Sequence, residues 1–205
     1  SPDKAEYCNF IWSKYLPNET VFVPVFQADN KSEVTINIGL LSKVAEHMKA
    51  GLRDIEQAVK LLYAIQLTQE KTDYLFSLPL FYIILLKIRH PEIYPYFKNK
   101  WGPSIFKQTH GSKFAEFQQD NFDLATTYKG ITDYRISESV KLFCDPNTKL
   151  YTPDSTPTQV RGVPANSAKD YIEKGLYDAN KVREFKLAKD LSNYVNIVEQ
   201  AGQLS

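Results

Sequence analysis

The sequence predicts a mainly α protein: an irregular helical bundle with a Pro-rich connector and a long C-terminal helix. Three observations carry that reading. Apolar residues recur at three- and four-residue spacing along several segments of the 205-residue chain, the pattern of helices that bury one stripe. The segment Leu75 to Ile88, "LFSLPLFYIILLKI", is apolar nearly all round, as expected of a helix at the centre of a bundle. The run from Asp145 to Ala165 gathers four prolines and one glycine among Ser, Thr and Asp, a connector composition. The expected organisation is a bundle over 1–144, a linker or loop over 145–165 and a helical segment over 166–205.

The first helix is expected from Asp3 to Tyr15. Cys8, Ile11, Trp12 and Tyr15 share one side, Pro2 suits a first turn, and Pro17 ends it. "VFVPVF", Val21 to Phe26, is β-branched and aromatic but holds Pro24, so it reads as an edge strand or an extended connector. A second helix is expected over Asn37 to Ala50, with Leu40, Leu41, Val44 and Met48 on one face. Gly51 breaks it, and Leu52 to Thr68 forms the third. Asp73 can cap a fourth from Tyr74 to Arg89, which His90-Pro91 stops. A short segment, Glu92 to Lys98, leads to Trp101. Further helices are expected over Ser112 to Thr127, over Asp133 to Phe143, and from a cap at Asn166 or Ser167 to Lys174. The last runs from Asn180 to Ala201. Its stripe is Val182, Phe185, Ala188, Leu191, Val195 and Val198, able to pack back on the bundle or to meet a partner.

The bulk numbers narrow the function classes. A net charge of +1, from 25 basic and 24 acidic residues, builds no broad positive field of the kind nucleic-acid binding needs. A weak alternative of that kind would use "KNKW", Lys98 to Trp101, with Lys107 and Lys113. Two cysteines, Cys8 and Cys144, stand far apart in no metal-binding spacing and read as reduced thiols, which points to a cytoplasmic setting. No signal peptide is visible. The apolar stretch at 75–88 is broken by Pro79 and Lys87 and falls short of the about 20 residues a span requires.

Chemistry-bearing motifs are sparse. The chain has no GxxxxGK[ST], HExxH, GxSxG or GxGxxG pattern. His47, His90 and His110 are scattered without convergent partners, and each reads as structural. Asp54 suits the dipole at a helix start, and Glu56 with Lys60 forms an i,i+4 pair. Arg53 is different, because a cation in the first turn opposes the dipole. It is either a solvated structural residue or one end of a pairing with an anion, carboxylate or phosphate, that its guanidinium fork would suit.

Three stretches in order then matter together: "AEYCNFIWSKYLP…VFVPVF", "LLSKVAEHMKAGLRDIEQAVKLLYAI" and "LPLFYIILLKIRHPEIYPYFK". Over residues 5 to 98 this series resembles the region that follows the nucleotide-binding core in KAP-family P-loop NTPases. The matching motifs are Leu52-Arg53-Asp54-Ile55-Glu56-Gln57 and Lys87-Ile88-Arg89-His90-Pro91-Glu92-Ile93-Tyr94. The resemblance implies a lid-like region of a larger ATPase, with Arg53 as a contact to nucleotide phosphate. It implies ATP and magnesium for a longer parent of a kind often found at membranes, and no cofactor or metal in this chain. The Walker motifs are missing, so the chain looks like a portion of such a parent and should not hydrolyse ATP alone.

The expected function is therefore a non-catalytic lid or effector region whose partners are its own NTPase core and a further, unidentified protein. The competing expectation is a stand-alone helical protein–protein interaction domain.

Overall fold

The computed structural model describes residues 3–18, 21–24, 31–69, 74–92, 94–95, 125–128, 131–135 and 191–203. Over these residues the protein is mainly α: five helices and two short strand pairs. Pro2, Asp73, Cys144 and His110 lie outside the described residues, as do the segments 145–165 and 166–174.

Helix α1, Lys4–Tyr15, starts at Asp3, whose Oδ1 accepts the Ala5 N–H at 3.0 Å, a side-chain cap for one of the four orphan amides. Glu6 in the first turn and Lys14 in the last complement the dipole. Cys8, Ile11 and Trp12 are buried as the spacing requires. Burial pushes the Cys8 thiol up to about 12, so it behaves as a small apolar side chain.

Strand β1, Phe22–Val23, pairs in parallel with β2, Leu75–Phe76, in the register Phe22↔Leu75 and Val23↔Phe76. Both strands are buried, and β1 stops at Pro24, which has no amide to give. The pairing corrects the expected start of the fourth helix at Tyr74. Leu75 and Phe76 are extended, the Leu75 N–H goes to the Val21 carbonyl at 2.9 Å, and the helix begins at Ser77.

Helix α2, Glu33–His47, is shifted from the expected Asn37 to Ala50 at both ends. Ser32 caps the start, its Oγ accepting the Thr35 N–H at 3.2 Å. At the other end Lys49 takes φ of 54°, the Lys49 N–H bonds the Glu46 carbonyl and the Ala50 N–H bonds the Ala45 carbonyl. Those two bonds are a Schellman closure. Asn37 is buried inside the helix, its Nδ2 donating to the Phe22 carbonyl at 2.9 Å, so α2 is tied to β1.

Helix α3, Leu52–Thr68, has the bounds the sequence predicts, with Ile55, Ala58, Val59, Leu61, Leu62 and Ile65 buried. Helix α4, Ser77–Arg89, is buried from Ser77 through Leu86, as the all-round apolar pattern requires. Pro79 sits in its first turn, where no intrahelical amide bond is lost. Trp12 packs edge-on against Phe22 and Phe81, with ring centroids 6.3 and 5.9 Å apart, and so joins α1, β1 and α4.

Strands β3, Ala125–Tyr128, and β4, Ile131–Arg135, form an antiparallel pair with Ala125 opposite Arg135 and Tyr128 opposite Ile131. This overturns the helices expected over Ser112 to Thr127 and Asp133 to Phe143 where the structure describes them. "ATTY" and "ITDYR" are rich in β-branched and aromatic residues, which suit a pleated surface better than a helix.

Helix α5, Leu191–Gly202, is the described part of the expected C-terminal helix. It packs on α3 and α4 and buries Tyr194, Val195, Ile197, Val198 and Ala201. Of the two options the sequence left open, it takes the bundle.

Candidate functional site

The helical wheel of α3 carries two stripes. One is the buried face. The other runs Arg53, Glu56, Lys60, Tyr63 and Leu67, at alternating three- and four-residue steps, which keep side chains in one line along a helix. Helix α1 lies alongside and supplies Tyr7, Lys14 and Tyr15 to the same shoulder.

Glu56 is the hub of this shoulder. Lys60 Nζ lies 2.9 Å from its Oε1, and the Tyr15 hydroxyl donates to the same oxygen at 3.4 Å. The Lys60 bond, then the charge of Lys60, hold the Glu56 carboxyl below its ordinary value, and Lys14 adds to this from α1. The bond to Glu56 raises Lys60 in turn. The ring of Tyr15 is shared by two ammonium groups, Lys14 at 5.0 Å and Lys60 at 5.6 Å from its centroid, distances at which a cation is drawn to an aromatic face. Tyr7 is raised by burial first and by Glu56 second.

Three large apolar side chains are exposed among the described residues. Phe10 is 62% exposed, Tyr63 42% and Leu67 67%. Tyr63 and Leu67 are one turn apart on α3, and Phe10 is one turn before Lys14 on α1.

Arg53 heads the α3 stripe in the first turn, exposed to solvent. Lys14 lends its charge to Glu56, and no ion pair holds Arg53 among the described residues. The neighbouring acid is already engaged: Asp54 Oδ2 accepts the Gly51 N–H at 2.8 Å and faces Arg89 Nε at 3.7 Å. Asp54 therefore serves the helix start, as its position predicts, and leaves Arg53 alone.

The other residues weighed from the sequence fall elsewhere. His90 caps the end of α4 with Nδ1 3.5 Å from Glu92 Oε1. His47 ends α2, and its side chain lies outside the described residues. "KNKW", Lys107 and Lys113 also lie outside them. Among the described residues no three His, Cys, Asp or Glu side chains gather as a metal ion would require, and no helix is long and apolar enough to cross a membrane.

Arg53 was visible in the sequence as an odd charge. The rest of the shoulder was not, because Glu56 and Lys60 read as a routine surface pair and Tyr15 as a core position. The missed signal is the second 3-4-3-4 line on α3, offset from the apolar one. Comparison of the chain with protein-family models, curated proteins and solved structures returned no match.

Proposed function

We propose that this chain is a helical docking region, non-catalytic by itself, that sits against a nucleotide-binding core of the KAP type and couples its nucleotide state to a further protein. ATP and magnesium would belong to that core. Arg53 would reach a nucleotide phosphate from the first turn of α3, where its guanidinium could bond two phosphate oxygens at once.

One observation carries the reading. Arg53 is a solvent-exposed cation placed against the dipole, with Asp54 committed to Gly51 and Arg89 and Glu56, three residues on, bonded to Lys60. An anion delivered from another body would reverse the sign of that placement.

The test has two arms. The purified chain mixed with magnesium and ATP is expected to release no phosphate above background, and turnover by the chain alone would overturn the non-catalytic reading. In a longer parent carrying the core, Arg53→Ala should weaken the nucleotide response at least tenfold while circular dichroism stays unchanged. Unaltered ATP binding and turnover would remove Arg53 from the site. A second reading, a stand-alone interaction domain, is favoured by the exposed Phe10, Tyr63 and Leu67.

A further inference from the structure

The α1/α3 shoulder has a chemistry of its own, apart from any nucleotide. Its line on α3 alternates steps of three and four residues from Arg53 to Leu67, the spacing with which one helix receives another along its length. The composition changes along the line. Arg53, Glu56 and Lys60 occupy the first half, and Tyr63 and Leu67 the second. Lys14 borders it from α1.

The charges are out of balance. Arg53, Lys14 and Lys60 are three cations facing one acid, Glu56, and that acid is bound to Lys60 at 2.9 Å and to Tyr15 at 3.4 Å. Lys14 shares that same acid, and no ion pair holds Arg53 among the described residues, so positive charge is in excess. A cationic patch with exposed apolar side chains beside it complements a partner that offers carboxylates and apolar anchors together.

We propose that the α1/α3 shoulder docks an acidic amphipathic helix of a partner protein. The partner's carboxylates would lie over Lys14, Lys60 and Arg53, and its apolar residues over Tyr63 and Leu67. Tyr15 stiffens the cationic end, because its ring holds both lysine heads and its hydroxyl holds Glu56. Little side-chain freedom is then left to lose on binding. The proposal extends the docking reading to a second partner and does not require Arg53 to touch a phosphate.

The experiment uses the whole chain and a fluorescent 21-residue helical peptide with leucines at 3-4 spacing and glutamates flanking them. Its counterpart carries lysine at every glutamate position. Fluorescence anisotropy should show saturable binding of the glutamate peptide that weakens as salt rises, and at least tenfold weaker binding of the lysine peptide. Tyr63→Ala with Leu67→Ala should weaken the glutamate peptide at least tenfold, and Lys14→Glu at least threefold. Lys43→Glu, on the exposed side of α2 where it pairs with Glu46, should change nothing. These side chains are on the surface, and matching thermal melts would verify that each variant folds.

Several results would overturn the proposal: no binding, equal binding of both peptides, or indifference to the Tyr63, Leu67 and Lys14 changes. So would a dimer of the chain itself that the same changes dissolve, since the occupant would then be a second copy. Binding to anionic lipid vesicles in place of the peptide would assign the shoulder to a membrane surface. Because Arg53 is left intact throughout, failure here leaves the nucleotide reading standing, and failure of Arg53→Ala leaves this one standing.

Discussion

At the scale of single residues, two placements at helix ends work against intrinsic preference. Lys49 takes a left-handed backbone at φ of 54°, where glycine is the usual occupant. The two bonds that close α2 and the burial of Ala50 beside it hold that conformation. His90 is the second. Its burial at the end of α4 pushes the imidazole below its ordinary value of 6.5, and Arg89 and Lys49 push the same way against the opposing pull of Glu92. A folded-state value below the unfolded one means that the native protein binds fewer protons in the interval between them. Stability from the neutral ring is therefore fully present above pH about 6.5 and is lost as pH falls through the folded-state value. Urea unfolding at pH 7.5 and 5.5 should show a fall in midpoint for the parent and a smaller fall for His90→Gln. An identical pH dependence in the two proteins would mean that His90 is not the group responsible.

At the scale of elements, the sequence was legible where one helix buries one stripe. The bounds of α3 follow from its periodicity and from Gly51, and α4 follows from a run with no polar face. Legibility failed where a few residues answer to a distant partner. Leu75 and Phe76 belong by pattern to α4, yet they are extended because Phe22 and Val23 lie beside them, a contact over fifty positions that no window contains. Their outer side is closed from further still. The Phe76 N–H donates to the hydroxyl of Tyr194 on α5 at 2.9 Å, in the core. A hydroxyl thus serves a buried amide of β2 from outside the strand pair. Tyr194→Phe keeps the ring and removes that buried acceptor, a loss of about 1–3 kcal/mol. It should appear as a lower urea midpoint with unchanged slope. A midpoint equal to the parent's would show that the amide finds another acceptor. The candidate site divides in the same way. Arg53 stood out because one residue broke one local rule. The shoulder emerges only when α1 is laid beside α3, since Lys14 and Lys60 meet at Tyr15 from helices far apart in sequence.

At the scale of the whole molecule, the question is whether α5 is an appendage or part of the core. The sequence separated it from the bundle by a Pro-rich stretch and left both options open. Its side chains favour the core. Tyr194, Val195, Val198 and Ala201 are 2% exposed or less. Burying a valine or isoleucine contributes about 1.5–3 kcal/mol each, so this face alone rivals the about 5–15 kcal/mol that holds a typical domain together. A polar clasp adds to it. Glu199 Oε1 accepts from Lys87 Nζ at 2.9 Å and from the Tyr94 hydroxyl at 2.8 Å, fastening α5 to the end of α4 and the turn beyond. The Tyr94 hydroxyl is raised well above its ordinary value by burial first and then by Glu199, so it stays a donor at any physiological pH. A chain ending at residue 190 should therefore lose its sharp thermal transition and the slow hydrogen exchange of the α4 amides, because α3 and α4 would present bare apolar faces to water. If that shortened chain instead melts as sharply as the parent and at the same temperature, α5 is an appendage after all. The shoulder on α1 and α3 would then rest on a core that stands without it.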